Sequence, residues 1–420
     1  MRKSVVFLFL GLFSLAFALP SEAALTVQVT KSVSSALPIA IPSFGPGVAG
    51  QPTVADVVRA DLSHSGLFKV LNPASYPSDP QAPAAVQANT WTGIGATGLA
   101  VGAVAKTAAG YTVTVYVYNV ATGQELAAKR FSCSPAELHM TAHHVADVIY
   151  KAFTGKPGPF ASRIAYVRQV GAEYSLLVAE SDGWNPHVVV QGRMPLLSPV
   201  WSPNNQRLAY VTYVNSRATI FVQNLATGTR QAIAPGGQIV SAPSFSPNGQ
   251  ELAYARSEGG ATNIFTVNLS TGQRQQLTQG GSINTSPSWS PNGQIAFVSD
   301  RDGGPQIFVM NSQGGGQHRI TYSGNYNASP AYSPNGQRIA FIHRTDGVYA
   351  LAVMDATGGG LNVLDAQGNC DHPSFADNGE MVIYGTHRAG VKVLAEASID
   401  GRTLAILHGA GEDSQPAWSN

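Results

Sequence analysis

Charge is scarce in this chain. Asp, Glu, Lys and Arg make up 12% of 420 residues, and 25 basic against 24 acidic residues leave a formal net charge of +1. No field of one sign exists to gather phosphates along a nucleic-acid backbone, so nucleic acid is not an expected partner. Cysteine is nearly absent: Cys133 and Cys370 are the whole complement. They fall in different domains on the reading below, and are read as two separate buried thiols rather than a disulfide. Long apolar runs are lacking beyond the N-terminus. The one present, Val5 to Leu19, follows Arg2 and Lys3 and gives way to small residues around Ser21 and Ala23. That layout is a signal peptide cleaved near Ala23, and its run is shorter than the roughly 20 residues of a spanning helix. The mature chain, starting at Ala24, is expected to be exported, soluble and not membrane-spanning. A GxSxG sequence is also absent, which removes the nucleophile elbow of a serine hydrolase.

What is abundant is turn formers, with 44 Gly and 26 Pro. They fall in a repeat. Six segments, of which SPSWSPNGQIAFVS from Ser286 is one, place a proline two residues before an aromatic. Those aromatics are Trp201, Phe245, Trp289, Tyr332, Phe375 and Trp418, at intervals of 44, 44, 43, 43 and 43 residues. The period suits a propeller blade of four strands. Asn-Gly after four of the six aromatics tolerates positive φ and marks a hairpin turn. The sixth copy ends at Asn420 directly after its aromatic, and the strands it lacks reappear at Phe160 to Val167 and Ser175 to Val178. The expected fold is therefore an all-β six-bladed propeller over residues 159–420. It is closed by pairing the C-terminal strand with strands just after the linker, which removes exposed edges. The alternative is an open repeat array.

Residues 24–158 carry no such repeat and are expected to form a smaller α/β N-terminal domain. Val54, Val57, Val58 and Leu62 have amphipathic helical spacing, with Gly66 as a stop. Gly98 to Val104, Gly110 to Val120 and Glu125 to Phe131 read as strands. Ser134 and Glu137 form a capping box for a helix running to about Phe153. Residues 155–158 are the linker.

Several candidate sites follow. Gly93 to Gly98 matches GxGxxG, but it leads into a strand rather than opening a helix, so no cofactor is expected there. His139 and His143 lie four apart on the second helix, with His144 adjacent. No third ligand is apparent and Met140 stands where HExxH needs its glutamate, so the histidines are read as solvated or capping-face residues. Asp300 and Asp302 are read as a solvated hairpin. The channel mouth is the main candidate. The residues five and four before each aromatic include Ser241, Asn284, Thr285, Asn327, Asp371 and Asp413, with His372 adjoining Asp371. Hydroxyls, amides and carboxylates in such a ring suit a peptide or protein loop inserted along the axis; they equally suit strand ends and channel water. The rival reading is a secreted propeller enzyme, a hydrolase or lyase, with Ca²⁺ held in the channel by Asp371 and Asp413. At the mature N-terminus, Ala24, Leu25, Thr26, Val27 and Val29 belong to a peptide with alternating Leu25, Val27 and Val29. Such a peptide can add a strand to a partner's sheet or pair within its own domain.

The repeat from Pro287 to Asn311 resembles that of the TolB family, and so do Pro38 to Phe44, Asp61 to Phe68, Gly98 to Gly102 and Arg163 to Val167. The resemblance implies a non-enzymatic periplasmic protein of the Tol-Pal system, with no required cofactor, monomeric on its own. It further implies binding of the lipoprotein Pal at the channel mouth and of TolA through the mature N-terminus, in outer-membrane integrity and constriction during cell division. Thr285 stands where the family has a Pal-contacting threonine. A family histidine near the preceding blade's entry is not matched; Ile239 stands there.

Overall fold

The computed structural model describes residues 25–28, 36–233 and 239–419. The expected signal peptide and its cleavage near Ala23, with Ala24 and Val29, lie outside the described residues. The N-terminal sheet has the order Phe68–Val70, Leu37–Ala40, Gly98–Thr107, Gly110–Asn119, Glu125–Cys133. Its first three strands are parallel and the rest antiparallel. Three helices accompany it: α1 (Val54–His64), α2 (Ala88–Thr92) and α3 (Leu138–Thr154). Thr53 starts α1, its hydroxyl accepting from Asp56 N at 3.3 Å while the Asp56 carboxylate accepts from Thr53 N at 3.2 Å. Ser134 and Glu137 form the same reciprocal pair before α3, which ends at Gly155 with φ 74°. The apolar faces of both helices, with Val58, Leu62, Ala142, Val145 and Ile149, share one core with Ile39, Val113, Val115 and Val117 of the sheet. The GxGxxG segment follows α2 and ends where a strand begins, the reverse of a dinucleotide loop.

From Arg163 onward the chain forms six sheets of four strands. Blade I takes its inner strand from the C-terminus: Glu412–Trp418 pairs antiparallel with Arg163–Val170, beside Glu173–Glu180 and His187–Gly192. Blades II to VI follow in sequence, each from inner to outer strand. In every inner strand the register slips just before the aromatic. The residue at the slip precedes proline and has positive φ: Ser198, Ala242, Ser286, Ser329, His372 and Gln415 lie between 44° and 52°. Proline's lack of an N–H suits a position where the ladder is already broken. The Ser-Pro-Asn-Gly or Ser-Pro-Asn-Asn turn that follows is tied by its serine. Ser202, Ser246 and Ser333 each accept from the backbone N–H five residues on, at 2.9 Å.

Adjacent blades are stitched by the residue between proline and aromatic. The Ser244 hydroxyl accepts from Trp289 N, Ser288 from Tyr332 N and Ser374 from Trp418 N, at 2.9 to 3.1 Å. Between blades, the second strands contribute Tyr210, Tyr254, Phe297, Phe341 and Tyr384, all 0% or 1% exposed.

The N-terminal peptide does not pair within its own domain. Leu25–Gln28 pairs antiparallel with Leu404–Leu407, the outer strand of blade VI, Leu25 opposite Leu407 and Gln28 opposite Leu404. An outer strand offers unpaired backbone groups, and a short alternating segment satisfies them.

Candidate functional site

Strand direction alternates within each blade, so the propeller has two unlike faces. The turns between first and second strands, and between third and fourth, lie on one face. The N-terminal domain docks there, with Lys156 Nζ 2.6 Å from Glu380 Oε1 and Asn378 Nδ2 donating to Pro157 O at 3.3 Å. The hairpins between second and third strands and the connections from blade to blade lie on the opposite, free face. Among the described residues, six exposed large apolar side chains occur on that free face: Val170, Met194, Val214, Ile283, Tyr322 and Val391, with Tyr322 75% exposed.

The predicted mouth residues lie at the free-face ends of the inner strands, but their side chains are not equally available. Ser241, Thr285 and Asp371 are half-buried. Asn284 is buried: its amide donates to Asn263 Oδ1 at 3.1 Å, and its carbonyl accepts from Arg301 Nη2 at 2.9 Å. Asn327 is buried likewise, donating to Gln306 Oε1 at 2.8 Å and lying 2.8 Å from His343 Nδ1. Both Asp413 oxygens accept from Arg168, at 2.7 and 2.8 Å. A hard cation such as Ca²⁺ needs about six to eight oxygen ligands, so the Asp371 and Asp413 pair has one carboxylate already engaged. The channel itself encloses a 440 Å³ cavity toward the docked face, lined by the prolines and aromatics of all six repeats. Ser198, Ala242, Ser286 and Ser329 line it with His372. Sequence reasoning named His372 but missed the slip residues Ser198, Ala242, Ser286 and Ser329; proline two before the aromatic was their signal. It also missed Met194, Ile283 and Tyr322, apolar residues set in polar connections.

The histidine pair on α3 is neither solvated nor a helix cap. His139 is 6% and His143 0% exposed, at the junction of the two domains. His139 Nδ1 lies 2.8 Å from Glu180 Oε2, and the ring stacks on Trp184 at 4.7 Å. His143 Nδ1 lies 2.7 Å from Asp61 Oδ2 of α1. The missing acidic partners come from α1 and from the propeller, 82 and 41 residues away in sequence. His144 alone is exposed, stacked on Phe131 at 5.9 Å. Beside this cluster is a 20 Å³ cavity lined by Asp61, His64, Asp182 and Glu396, about the room of one water. Burial pushes the Glu396 carboxyl up to about 8 and the His64 imidazole down to about 4.

Both cysteines are free, Cys370 buried and Cys133 only half-buried. The expectation of two buried thiols therefore holds for Cys370; Cys133 ends an edge strand of the N-terminal sheet, where one side meets solvent. No helix among the described residues is long and apolar enough to cross a membrane.

Residues 150–420 match the model of the TolB beta propeller domain and residues 25–126 that of the TolB amino-terminal domain. A crystal structure of TolB from Acinetobacter baumannii superposes with a TM-score of 0.88 at 33% identity, covering 95% of this chain and 100% of that one. Tol-Pal system protein TolB of Methylobacillus flagellatus is 38% identical over 214 residues, 49% of each chain. Its counterpart in Methylococcus capsulatus is 38% identical over 186 residues, 43% of this chain and 44% of that one. The matches to these curated relatives span about half of their length.

Proposed function

The chain belongs to the TolB family, and on that premise we propose that it is a non-enzymatic periplasmic scaffold of the Tol-Pal system. It binds the lipoprotein Pal at the channel mouth on the free face and TolA through its mature N-terminus, in outer-membrane integrity and constriction during division. The observation that supports this best is the free face. Apolar side chains exposed around an inner ring that includes Ser241, Thr285 and Asp371 are the composition of a docking surface, where an apolar core is bordered by hydrogen-bonding groups. The channel cavity, by contrast, offers only His372, Asp377 and Tyr332 as titratable groups among its lining residues, the Tyr332 phenol pushed up to about 12 by burial, a poor basis for acid–base chemistry.

The N-terminal strand supports the second half of the proposal. Leu25–Gln28 lies on the edge of blade VI, and the same backbone groups would pair with a partner's sheet once released. If Pal binding and release of this strand are coupled, each must shift the other's affinity by the same factor. Calorimetry tests this: TolA titrated into the chain alone, and into the chain saturated with Pal, should give unequal affinities. Equal values would remove the coupling and leave two independent sites.

A further inference from the structure

We propose that the junction between the N-terminal domain and blade I binds a divalent transition-metal ion of the zinc class, held by His139, His143, Glu180 and Asp182. His139, His143 and Glu180 each offer a ligand atom within 4.8 Å of the other two. Asp182 adds oxygens 3.5 Å from His139 Nε2 and 3.6 Å from His143 Nε2, and Glu180 Oε2 is also 3.6 Å from His143 Nε2. These separations exceed hydrogen bonds. They equal the spacing of neighbouring ligands, roughly 3.3–3.6 Å, around an ion whose bonds to nitrogen and oxygen are about 2.0–2.2 Å.

The imidazoles are held as ligands are held. His143 Nδ1 lies 2.7 Å from the Asp61 carboxylate, and the ring turns Nε2 toward Glu180 and Asp182; with the proton on Nδ1, Nε2 presents a lone pair there. A carboxylate behind a histidine in this way is the usual support of a metal ligand. Trp184 fixes the His139 ring by stacking. The independent sign of a missing ligand is His143 Nε2 itself. It is on a fully buried side chain and has no hydrogen-bond partner among the described residues, while facing two carboxylate oxygens. Nε2 buried against two carboxylates calls for a cation between them, either a proton on the ring or a metal ion on its lone pair, and the 3.5–3.6 Å separations match those of a metal. Two carboxylates balance a divalent charge, and two imidazoles favour a transition ion over Ca²⁺ or Mg²⁺. Because His139 and His143 come from α3 while Glu180 ends and Asp182 follows the third strand of blade I, the ion would staple the two domains together.

The test uses the tag-free mature chain, stripped with a chelator and then loaded with Zn²⁺ or Co²⁺ and passed over gel filtration. The expected result is one equivalent of metal per chain, visible d–d bands for Co²⁺, and a melting temperature several degrees above the stripped protein. His143→Gln and Asp182→Asn should lose the equivalent, while His187→Ala, at an exposed position, should keep it. Asp182 is 23% exposed at its side chain, so its amide variant is the one expected to retain the fold, checked by circular dichroism. Less than about a tenth of an equivalent in the wild-type chain overturns the proposal whatever the variants do, and identifies a cluster held by protons alone. Equal loading of wild type and a folded Asp182→Asn chain also overturns it. Neither result bears on Pal binding, whose surface is on the opposite face.

Discussion

Arg168 grips Asp413 through two parallel bonds, Nε to Oδ1 at 2.7 Å and Nη2 to Oδ2 at 2.8 Å. The pair joins the C-terminal inner strand to the second strand of blade I across 245 residues of sequence. Both side chains are largely buried, 15% and 5% exposed. Removing one partner leaves an uncompensated charge, whereas removing both need not. Arg168→Met is expected to cost about 3–5 kcal/mol of unfolding free energy in urea. Arg168→Met with Asp413→Leu should recover most of that loss; a double variant as weak as the single one would show that shape, not charge, holds the seam.

The thiols should differ in reactivity. Burial pushes the Cys370 thiol up to about 12, with Asp365 adding to the effect, and the residue is 3% exposed. Iodoacetamide at pH 8 on the native protein is expected to label Cys133 alone, with Cys370 labelled only in denaturant, as read by mass spectrometry of peptides. Label on Cys370 in the folded state would contradict this placement.

Asp147 of α3 accepts from Phe160 N at 3.0 Å and Ala161 N at 3.1 Å, fastening the linker to the helix. Burial pushes its carboxyl up to about 7 despite those bonds; Asp61 adds to the rise and His143 opposes it. Since the folded chain then holds a proton that the unfolded chain releases near its ordinary value of 3.8, this group's contribution is full below that value. It is lost as pH rises through about 7. Asp147→Asn should therefore show a melting temperature that falls less between pH 4 and 7 than the wild type does, measured by calorimetry at matched ionic strength. Nearby, a Cβ on Gly158 would come within 2.1 Å of Asp147 Oδ1 and 2.8 Å of its Cα, so Gly158→Ala should destabilise the linker as well.

The docked N-terminal strand should leave a footprint in hydrogen exchange. Removal of residues 24–28 is expected to raise exchange at Leu404 to Leu407, the strand it covers, while the inner strand Asp371–Phe375 stays protected. Unchanged exchange at Leu404 to Leu407 would show that the pairing is not held in solution.

The blades were legible because each is specified locally. A positive-φ residue before proline, an aromatic two positions on and a Ser-Pro-Asn-Gly turn recur in one short window, and each has its own steric reason. The capping boxes at Thr53 and Ser134 were equally local, though only the second was read. The junction cluster was not legible. His139 and His143 mark one helix face, but Asp61 lies on another helix and Glu180 and Asp182 on a blade, brought together only by domain docking. The edge met by Leu25–Gln28 was hidden for a related reason: alternation marks a strand without naming its neighbour. Asn284 and Asn327 sit on inner strands as expected. Their amides are used by Asn263 and Gln306 on the third strand of the preceding blade, a relation set by how neighbouring blades pack.

The central claim is a Pal-binding free face, and the measurement that tests it most directly is the affinity of the purified mature chain for the soluble domain of Pal. A complex is expected that weakens by about 10-fold or more in Thr285→Arg and Asp371→Arg, a loss of about 1.4 kcal/mol or more. Asn292→Arg, exposed in a turn on the docked face, should bind as the wild type does. Absence of a detectable complex with the wild-type chain, or equal weakening by Asn292→Arg, would contradict it.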